Sequence, residues 1–489
     1  MALMEMPALE SRDVSCECGR PRVAVPTKLA MGSRVLQELP EVLKGMTPNG
    51  TCQVVVLFDP ITNELFGERV LRPLQSAGLS VRPLVLGEEG RPFEPDERAI
   101  QTVEAAVRAA KETAPAALSR AAEDAAVQAA RNAADTPSVT PGAGTAAGPG
   151  SGEPVLVGVG SGAINDLGKY ISAKEGVKYV CVATAPSMDG FAAPISAIVL
   201  NKVKTTVDSR CPDAVVADLD VLCGAPPAMI SAGFGDVLGK LTSLADWKLA
   251  RVLFDEHWCR ETSDEVEGIA RRVWQSAEAV SARSPEAVRD LMEALFLAGT
   301  SVVHVGRSRP TSGGEHLFSH FVEMWHLNRG LRPPAHGHVV GMGTLLMSHI
   351  AEALKRFDPA TWSEEQALAK REALPEEVLA ALQIDSVPDN FGKSKFDKEQ
   401  AAQRWGGIRA RWSEVLSVLE AIPASAQIEA ALLKAGCPTR LSQLGLDRAT
   451  GRLAIAYCRF VRERYTLIDL AADVGVFPAI VDQLVEAYA

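Results

Sequence analysis

Five short apolar runs punctuate the first half of the chain: TCQVVVLFDP (51–60), LSVRPLVLG (79–87), EPVLVGVGSG (153–162), VKYVCVATAP (177–186) and AVVADLDVL (214–222). They are rich in valine and leucine and bounded by Gly, Pro or Asp, which predicts five strands. Stretches with helical spacing of apolar residues separate them, such as 62–77 and 164–175. Alternation of this kind predicts a mostly parallel sheet covered by helices on both faces. After about residue 224 the strand-like runs stop, and long amphipathic stretches follow at 227–253, 264–282, 285–303, 337–357, 398–421 and 450–465. The expected architecture is an α/β domain over 1–223 followed by an all-helical domain over 224–489, with a cleft between them suited to an active site.

Residues 115–152 break this rhythm. They are Ala-rich at first and then, from about Thr136, low-complexity Pro/Gly/Thr/Ala sequence. This predicts a mobile surface insertion between the second and third of those strands, with no chemistry of its own. The chain has 489 residues, 47 % hydrophobic and 23 % charged, within the range of ordinary globular proteins and long enough for two cores. A net charge of −11 argues against a broad nucleic-acid surface, although it leaves room for one basic pocket for a small anion. No apolar run approaches the roughly 20 residues that span a bilayer. The start, MALMEMPALESRD, lacks the basic region and apolar core of a secretory signal, so a cytoplasmic location is expected. Nine cysteines are scattered, with only Cys16 and Cys18 close in sequence, which fits reduced thiols rather than a disulfide or zinc framework.

The histidines change the picture. Seven of eight fall between His304 and His349. His316 and His320 are four residues apart, so on a helix they share a face, and Gly313 and Gly314 precede them. His336 opens the next helical stretch, and Asp236, after a Gly-Phe-Gly turn, is the best candidate carboxylate. Two or three imidazoles with one carboxylate suit a divalent metal. Glu315 directly precedes His316 and is expected to point off the shared face. In VGVGSGAINDLGKY (157–170), Gly158, Gly160 and Gly162 lie between a strand and a helix. That arrangement can cradle a phosphate at a helix N-terminus, and it also serves a plain tight turn. Asp59 ends an earlier strand, where an acid can bind a ribose 2′-hydroxyl. The usual dinucleotide fingerprint puts that acid after the glycines, not before them.

Taken in order, GSGAINDLGKY, ATAPSMDGFAAP, GFGDVLGKLTSLADWKLA, SRPTSGGEHLFSHFVEMW and AHGHVVGMGTLL resemble the blocks of the sn-glycerol-1-phosphate dehydrogenases. These belong to the iron-containing alcohol dehydrogenase and glycerol dehydrogenase superfamily. RERYTLIDLAADVG (462–475) is similar to the bacterial branch, and the resemblance spans nearly the whole chain apart from 115–152 and the first 20 residues. It implies a Rossmann-like sheet and a metal on Asp236, His316 and His336, zinc or nickel ahead of iron. It implies NAD(H), with NADP(H) as second choice, along Gly160, Ser161, Gly162 and Ala163. Thr184, Ala185, Pro186 and Ser187 would lie near the nicotinamide, and Asp59 on the adenosine ribose. Asp189 and His320 match substrate-contacting positions and, with Asp236, form the expected catalytic set. The implied reaction is reversible reduction of dihydroxyacetone phosphate to sn-glycerol 1-phosphate by a homodimer. The expected partner is a small phosphorylated triose or polyol, with Lys204, Lys240 and Arg309 as candidate phosphate ligands.

The chain departs from the family at two places. Ala193 stands where a serine is common, and Gly337-His338 follows His336 where Gly and an acid are common, so His338 competes as a ligand. Three other readings stay open: a dehydrogenase for glycerol or another polyol, a sugar-phosphate cyclase of the dehydroquinate synthase type, or a binding protein without turnover.

Overall fold

Each of the five apolar runs forms a strand in the computed structural model, which describes residues 18–19, 25–47, 52–90, 93–112, 153–200, 203–361, 363, 376–383 and 398–489. The expected insertion at 115–152 lies outside the described residues. Strands β1 (Lys28–Gly32), β2 (Gln53–Phe58), β3 (Ser80–Val85), β4 (Val155–Gly160), β5 (Lys178–Ala183) and β8 (Ala214–Asp218) make one sheet in the order β1-β8-β5-β4-β2-β3. All its pairings are parallel. Sequence reading missed β1 and also the antiparallel hairpin of β6 (Ile195–Leu200) and β7 (Val203–Asp208). These strands are five or six residues long, and only two of the six positions of β6, Ser196 and Ile198, are buried.

The apolar blocks of the central strands exist because both faces of the sheet are covered. Along β2, Val54, Val56 and Phe58 enter one core with Leu39 and Leu43 of α1 (Leu39–Lys44) and Val70 and Leu74 of α2 (Pro60–Ser76). Val55 and Leu57 enter the other, with Val103 and Val107 of α3 (97–112) and Ile164 and Leu167 of α4 (Gly162–Glu175). That second core continues without a break into the helical part of the chain, as far as Leu484 and Tyr488. Chain direction reverses beside β4, since β2 lies on one side and β5 on the other. Ligands of open α/β sheets bind at such a switch point, beyond the carboxyl ends of the strands.

Beyond Cys223 the described residues hold helices and no strand. The expected helix 227–253 is two, α6 (Pro227–Leu238) and α7 (Lys240–Phe254), which meet at Gly239. The stretch 264–282 is likewise divided into α8 (Arg260–Gln275) and α9 (Ala277–Ser281), followed by α10 (Pro285–Val305). Helix α11 (Gly314–Leu327) packs on α12 (His336–Lys355), which in turn crosses α6. The α6–α12 crossing is unusually close. A Cβ on Gly235 would lie 2.3 Å from the Gly337 carbonyl oxygen, and one on Gly337 would lie 1.8 Å from that of Ala232. Length and composition would let Trp412–Ala435 cross a membrane. It is, however, two helices of 9 and 11 residues separated at Ala421–Ala424, each far short of a span.

Gly337→Ala is expected to lower the unfolding free energy by about 1–3 kcal/mol, because backbone must move to admit the methyl group. Gly268→Ala, on an exposed turn of α8 with nothing near the new atom, should raise it by up to about 1 kcal/mol. Urea titration of the two variants reads both.

Candidate active site

Three elements converge on one buried point. Asp236 comes from the last turn of α6, His316 from the first turn of α11 and His336 from the first residue of α12. One ligand atom from each lies within 4.8 Å of the others. Asp236 Oδ1 is 3.7 Å from His316 Nε2, and the His316 and His336 rings are 5.2 Å apart. His320 completes a triangle of rings, 6.3 Å from His316 and 6.1 Å from His336.

Second carboxylates aim the two imidazoles. His316 Nδ1 donates to Glu315 Oε1 at 2.9 Å, and His336 Nδ1 donates to Glu323 Oε1 at 2.6 Å. This bonding puts the proton on Nδ1 and leaves the Nε2 lone pair for a metal. Glu315 therefore does not point away, contrary to its expected place on the helix. Its side chain folds back and also accepts from the Gly313 N–H at 2.6 Å and the Thr242 hydroxyl at 2.8 Å. One buried carboxylate and two imidazoles, each with a second carboxylate on its Nδ1, fit a divalent metal. His338 does not compete for it, because its Nε2 bonds Ser231 Oγ at 2.8 Å.

Lys240 organises the acidic side. Fully buried, it donates to Asp236 Oδ1 at 2.8 Å, Asp189 Oδ2 at 2.7 Å and the Thr311 carbonyl at 3.2 Å. An ammonium has three N–H groups, so none is left for a phosphate. The Asp189 N–H donates to Asp236 Oδ2 at 2.9 Å. Burial alone would raise the Asp236 carboxyl, but Lys240, then His336 and His316, hold it below the usual carboxylate range. Arg309 is likewise committed, to both Glu256 oxygens at 2.8 and 2.5 Å and to the Tyr465 carbonyl at 3.0 Å. Of the three expected phosphate ligands only Lys204 is left; it lies on β7, and its side chain is outside those described.

The expected cofactor residues gather at the carboxyl edge of the sheet. Leu57 pairs with Gly158, so Asp59 and the glycine turn end neighbouring strands. The order in sequence is reversed from the usual fingerprint, yet adjacency is kept. Asp59 also caps α2, its Oδ1 accepting from the Thr62 N–H at 2.7 Å. Gly158 and Gly160 serve packing, since their Cβ atoms would lie 2.5 Å from the Tyr179 hydroxyl and 2.7 Å from Ile164 Cβ. Gly162 is the one with room, at the N-terminus of α4, where no side chain caps the helix. Ser161 Oγ lies 3.2 Å from the Ala185 carbonyl and 2.5 Å from Ser187 Oγ, and the Thr184 N–H donates to the Gly160 carbonyl at 3.2 Å. Residues 184–187 are thereby tied to the glycine turn beside Ala163. The same loop touches the helical part: a Cβ on Gly233 of α6 would lie 1.9 Å from the Pro186 carbonyl oxygen. Ala193 is buried at the end of this loop, where Lys169 binds the Gly190 and Ile195 carbonyls at 2.8 and 2.5 Å.

Comparison with known proteins gives the family and the fold. The model for the iron-containing alcohol dehydrogenase family matches residues 97–226. The glycerol-1-phosphate dehydrogenase (NAD(P)+) of Bacillus licheniformis is 27 % identical over 470 residues, covering 95 % of this chain and 94 % of that one. That of Bacillus velezensis is 30 % identical over 312 residues, 64 % of this chain and 68 % of its relative. The chain belongs to the glycerol-1-phosphate dehydrogenase family. Its fold is shared by a probable glycerol dehydrogenase from Sinorhizobium meliloti 1021, at 15 % identity and a TM-score of 0.53, covering 93 % of this chain and 97 % of that one. A 1,3-propanediol oxidoreductase, at 14 % identity and a TM-score of 0.54, also covers 93 % and 97 %.

Within this family member, Glu323 and Asp246 are the residues sequence reading overlooked, and Glu315 is the one it set aside. Glu323 sits seven residues after His316, two helical turns along the same face, which was a usable signal. Nothing in the sequence marked Asp246. It is fully buried and accepts from the Gly314 N–H at 2.7 Å and the Leu467 N–H at 2.6 Å. Burial first, and then the charge of Glu315, raises its carboxyl to about 8. The folded protein therefore keeps a proton here that the unfolded chain releases near 3.8. On linkage grounds this group makes the unfolding free energy fall as pH rises between those values. Asp246→Asn should flatten that slope in chemical denaturation across the same range.

Proposed function

We propose that this protein interconverts dihydroxyacetone phosphate and sn-glycerol 1-phosphate by hydride transfer, using NAD(H) in preference to NADP(H) and a divalent metal on Asp236, His316 and His336. The observation that carries this reading is the carboxylate-backed cluster closed against the 184–187 loop, an arrangement that supports a metal site beside a nicotinamide site. Relatives that bear the corresponding enzyme name over most of their length support it. Two imidazoles and one carboxylate suit zinc, nickel and ferrous iron alike, and the order of zinc or nickel ahead of iron rests on the family resemblance.

When bound, the metal acts as a Lewis acid toward the substrate's C2 oxygen, and the nicotinamide supplies or accepts the hydride. The protein's own groups orient and hold. Glu315 and Glu323 keep both imidazoles turned inward. The uncapped first turn of α4 offers backbone N–H groups to the pyrophosphate at Gly160–Ala163, and Asp59 takes the adenosine ribose. Asp189, steadied by Lys240, accepts a hydrogen bond from a substrate hydroxyl. Burial first, and then the nearby charge of Arg462, pushes the His320 imidazole well below its ordinary value. His320 is therefore neutral at physiological pH and can accept and return a proton at a substrate hydroxyl or through water.

His316→Ala and Asp236→Ala should abolish turnover and metal content together, read by metal analysis and NADH oxidation. A variant that retained both would remove the metal assignment. Glu315→Gln should weaken metal affinity by about 10–100-fold with the fold intact. Asp59 should repel a 2′-phosphate, so kcat/KM should favour NADH, and Asp59→Asn should narrow the gap. The decisive assay is purified protein with NADH and either dihydroxyacetone phosphate or free dihydroxyacetone, with chiral analysis of the product. Preference for the free ketone would instead mark a polyol dehydrogenase, and absence of net NADH oxidation a cyclase.

A further inference from the structure

The substrate's phosphate is a dianion, and the cations nearest the cluster are already occupied. Lys240 has given its three donors to Asp236, Asp189 and Thr311, and Arg309 is paired with Glu256. Lys169 is buried against loop carbonyls and Asp166. Arg464 is tied to the Ser312 carbonyl and, at 2.8 Å, to Ser308 Oγ.

Arg462 differs from all of these. It is half-buried, its Nη2 donates to Thr206 Oγ1 of β7 at 2.9 Å, and among the described residues it forms no ion pair with a carboxylate. A guanidinium carries five donors in a planar fork, so most of this one is available in the geometry that matches a phosphate. Its position is set by neighbours of the site. The turn Cys458–Phe460 just before it and strand β7 both pack on α11, the helix that carries His316 and His320. Arg464, two residues on, anchors the chain to the loop that runs into α11. The charge of Arg462 is felt at His320, where it adds to burial in disfavouring the imidazolium. Arg464 is also disfavoured in its charged form, by burial and then by Arg309 and Arg462. Three guanidiniums thus lie within electrostatic reach of one another, and Arg309 is paired with Glu256 while Arg462 has no ion pair among the described residues. A half-desolvated positive charge without a counter-ion is costly, and an incoming anion relieves that cost.

We infer that Arg462, steadied by Thr206, is the residue that receives the phosphate of the substrate. This rests on the proposed reduction of dihydroxyacetone phosphate. The substrate has three carbons, so its phosphate stays close to a ketone at the metal cluster, and the charge of Arg462 reaches His320, whose ring stands 6.3 Å from His316 and 6.1 Å from His336.

The test compares wild-type protein with Arg462→Ala on two ketones. The variant should raise KM for dihydroxyacetone phosphate by roughly 10- to 100-fold, the range expected from losing a charge-assisted hydrogen bond. Its kcat/KM for free dihydroxyacetone should fall far less than that for the phosphorylated ketone, since no phosphate is involved. Added guanidinium ion should restore activity toward the phosphorylated ketone alone. Independently of turnover, inorganic phosphate should raise the thermal midpoint of wild type more than that of the variant. If Arg462→Ala fails to fold, Arg462→Lys reads the same contrast, with an intermediate rise in KM confined to the phosphorylated ketone. Equal changes for both ketones, or an unchanged KM, overturn the assignment and leave the reaction standing. A wild-type enzyme with no preference for the phosphorylated ketone overturns both.

Discussion

Asp236 is a carboxylate with no exposure to solvent, and the surrounding structure is organised around keeping it ionised. A lone buried charge would be expelled or neutralised. Here Lys240 and the Asp189 N–H bind its two oxygens, and His316 and His336 face it. Those partners are themselves compensated, Lys240 by Asp189, His316 by Glu315 and His336 by Glu323. Along Asp236, Lys240 and Asp189 charge therefore alternates, and a divalent cation held by Asp236 and the two imidazoles would extend the same alternation.

Such a cluster needs three helices to meet within a few ångströms, which ordinary side chains would prevent. Gly235 and Gly337 let α6 and α12 touch backbone to backbone, so that Asp236 and His336 face each other across the crossing. Gly233 does the same for the Pro186 loop. That contact joins the two halves of the site: the loop is bound to the glycine turn on one side and pressed on α6 on the other. The cofactor edge of the sheet and the metal cluster are consequently held at a distance set by backbone contact and not by flexible side chains. Two basic groups expected to meet the phosphate, Lys240 and Arg309, instead serve as structural counter-ions, and the segment that follows the Cys458–Phe460 turn supplies the available guanidinium.

Much of this was legible from residues alone. The valine-rich blocks of β2, β4, β5 and β8 mark a buried parallel sheet because burial on both faces leaves no polar alternation. The spacing of His316 and His320, the isolated Asp236 and the ordered motifs mark the site and its family. Short elements were hidden: β1 and the strands of the β6–β7 hairpin are five or six residues long, and the long helical stretches concealed breaks at Gly239 and at Ala421–Ala424.

Sequence by itself determined which residues are chemically equipped, since ligand type, helical spacing and hydrophobic blocks are local properties of the chain. Only the tertiary structure decided what each is free to do. Whether Lys240 or Arg462 can meet an anion depends on which carboxylates surround it. Whether Glu315 points away or back depends on Thr242, more than 70 residues distant. Whether Gly160 cradles a phosphate or admits Ile164 depends on how a helix packs on a sheet. Charge compensation and close packing are relations between segments far apart in the chain, and they exist only once it has folded.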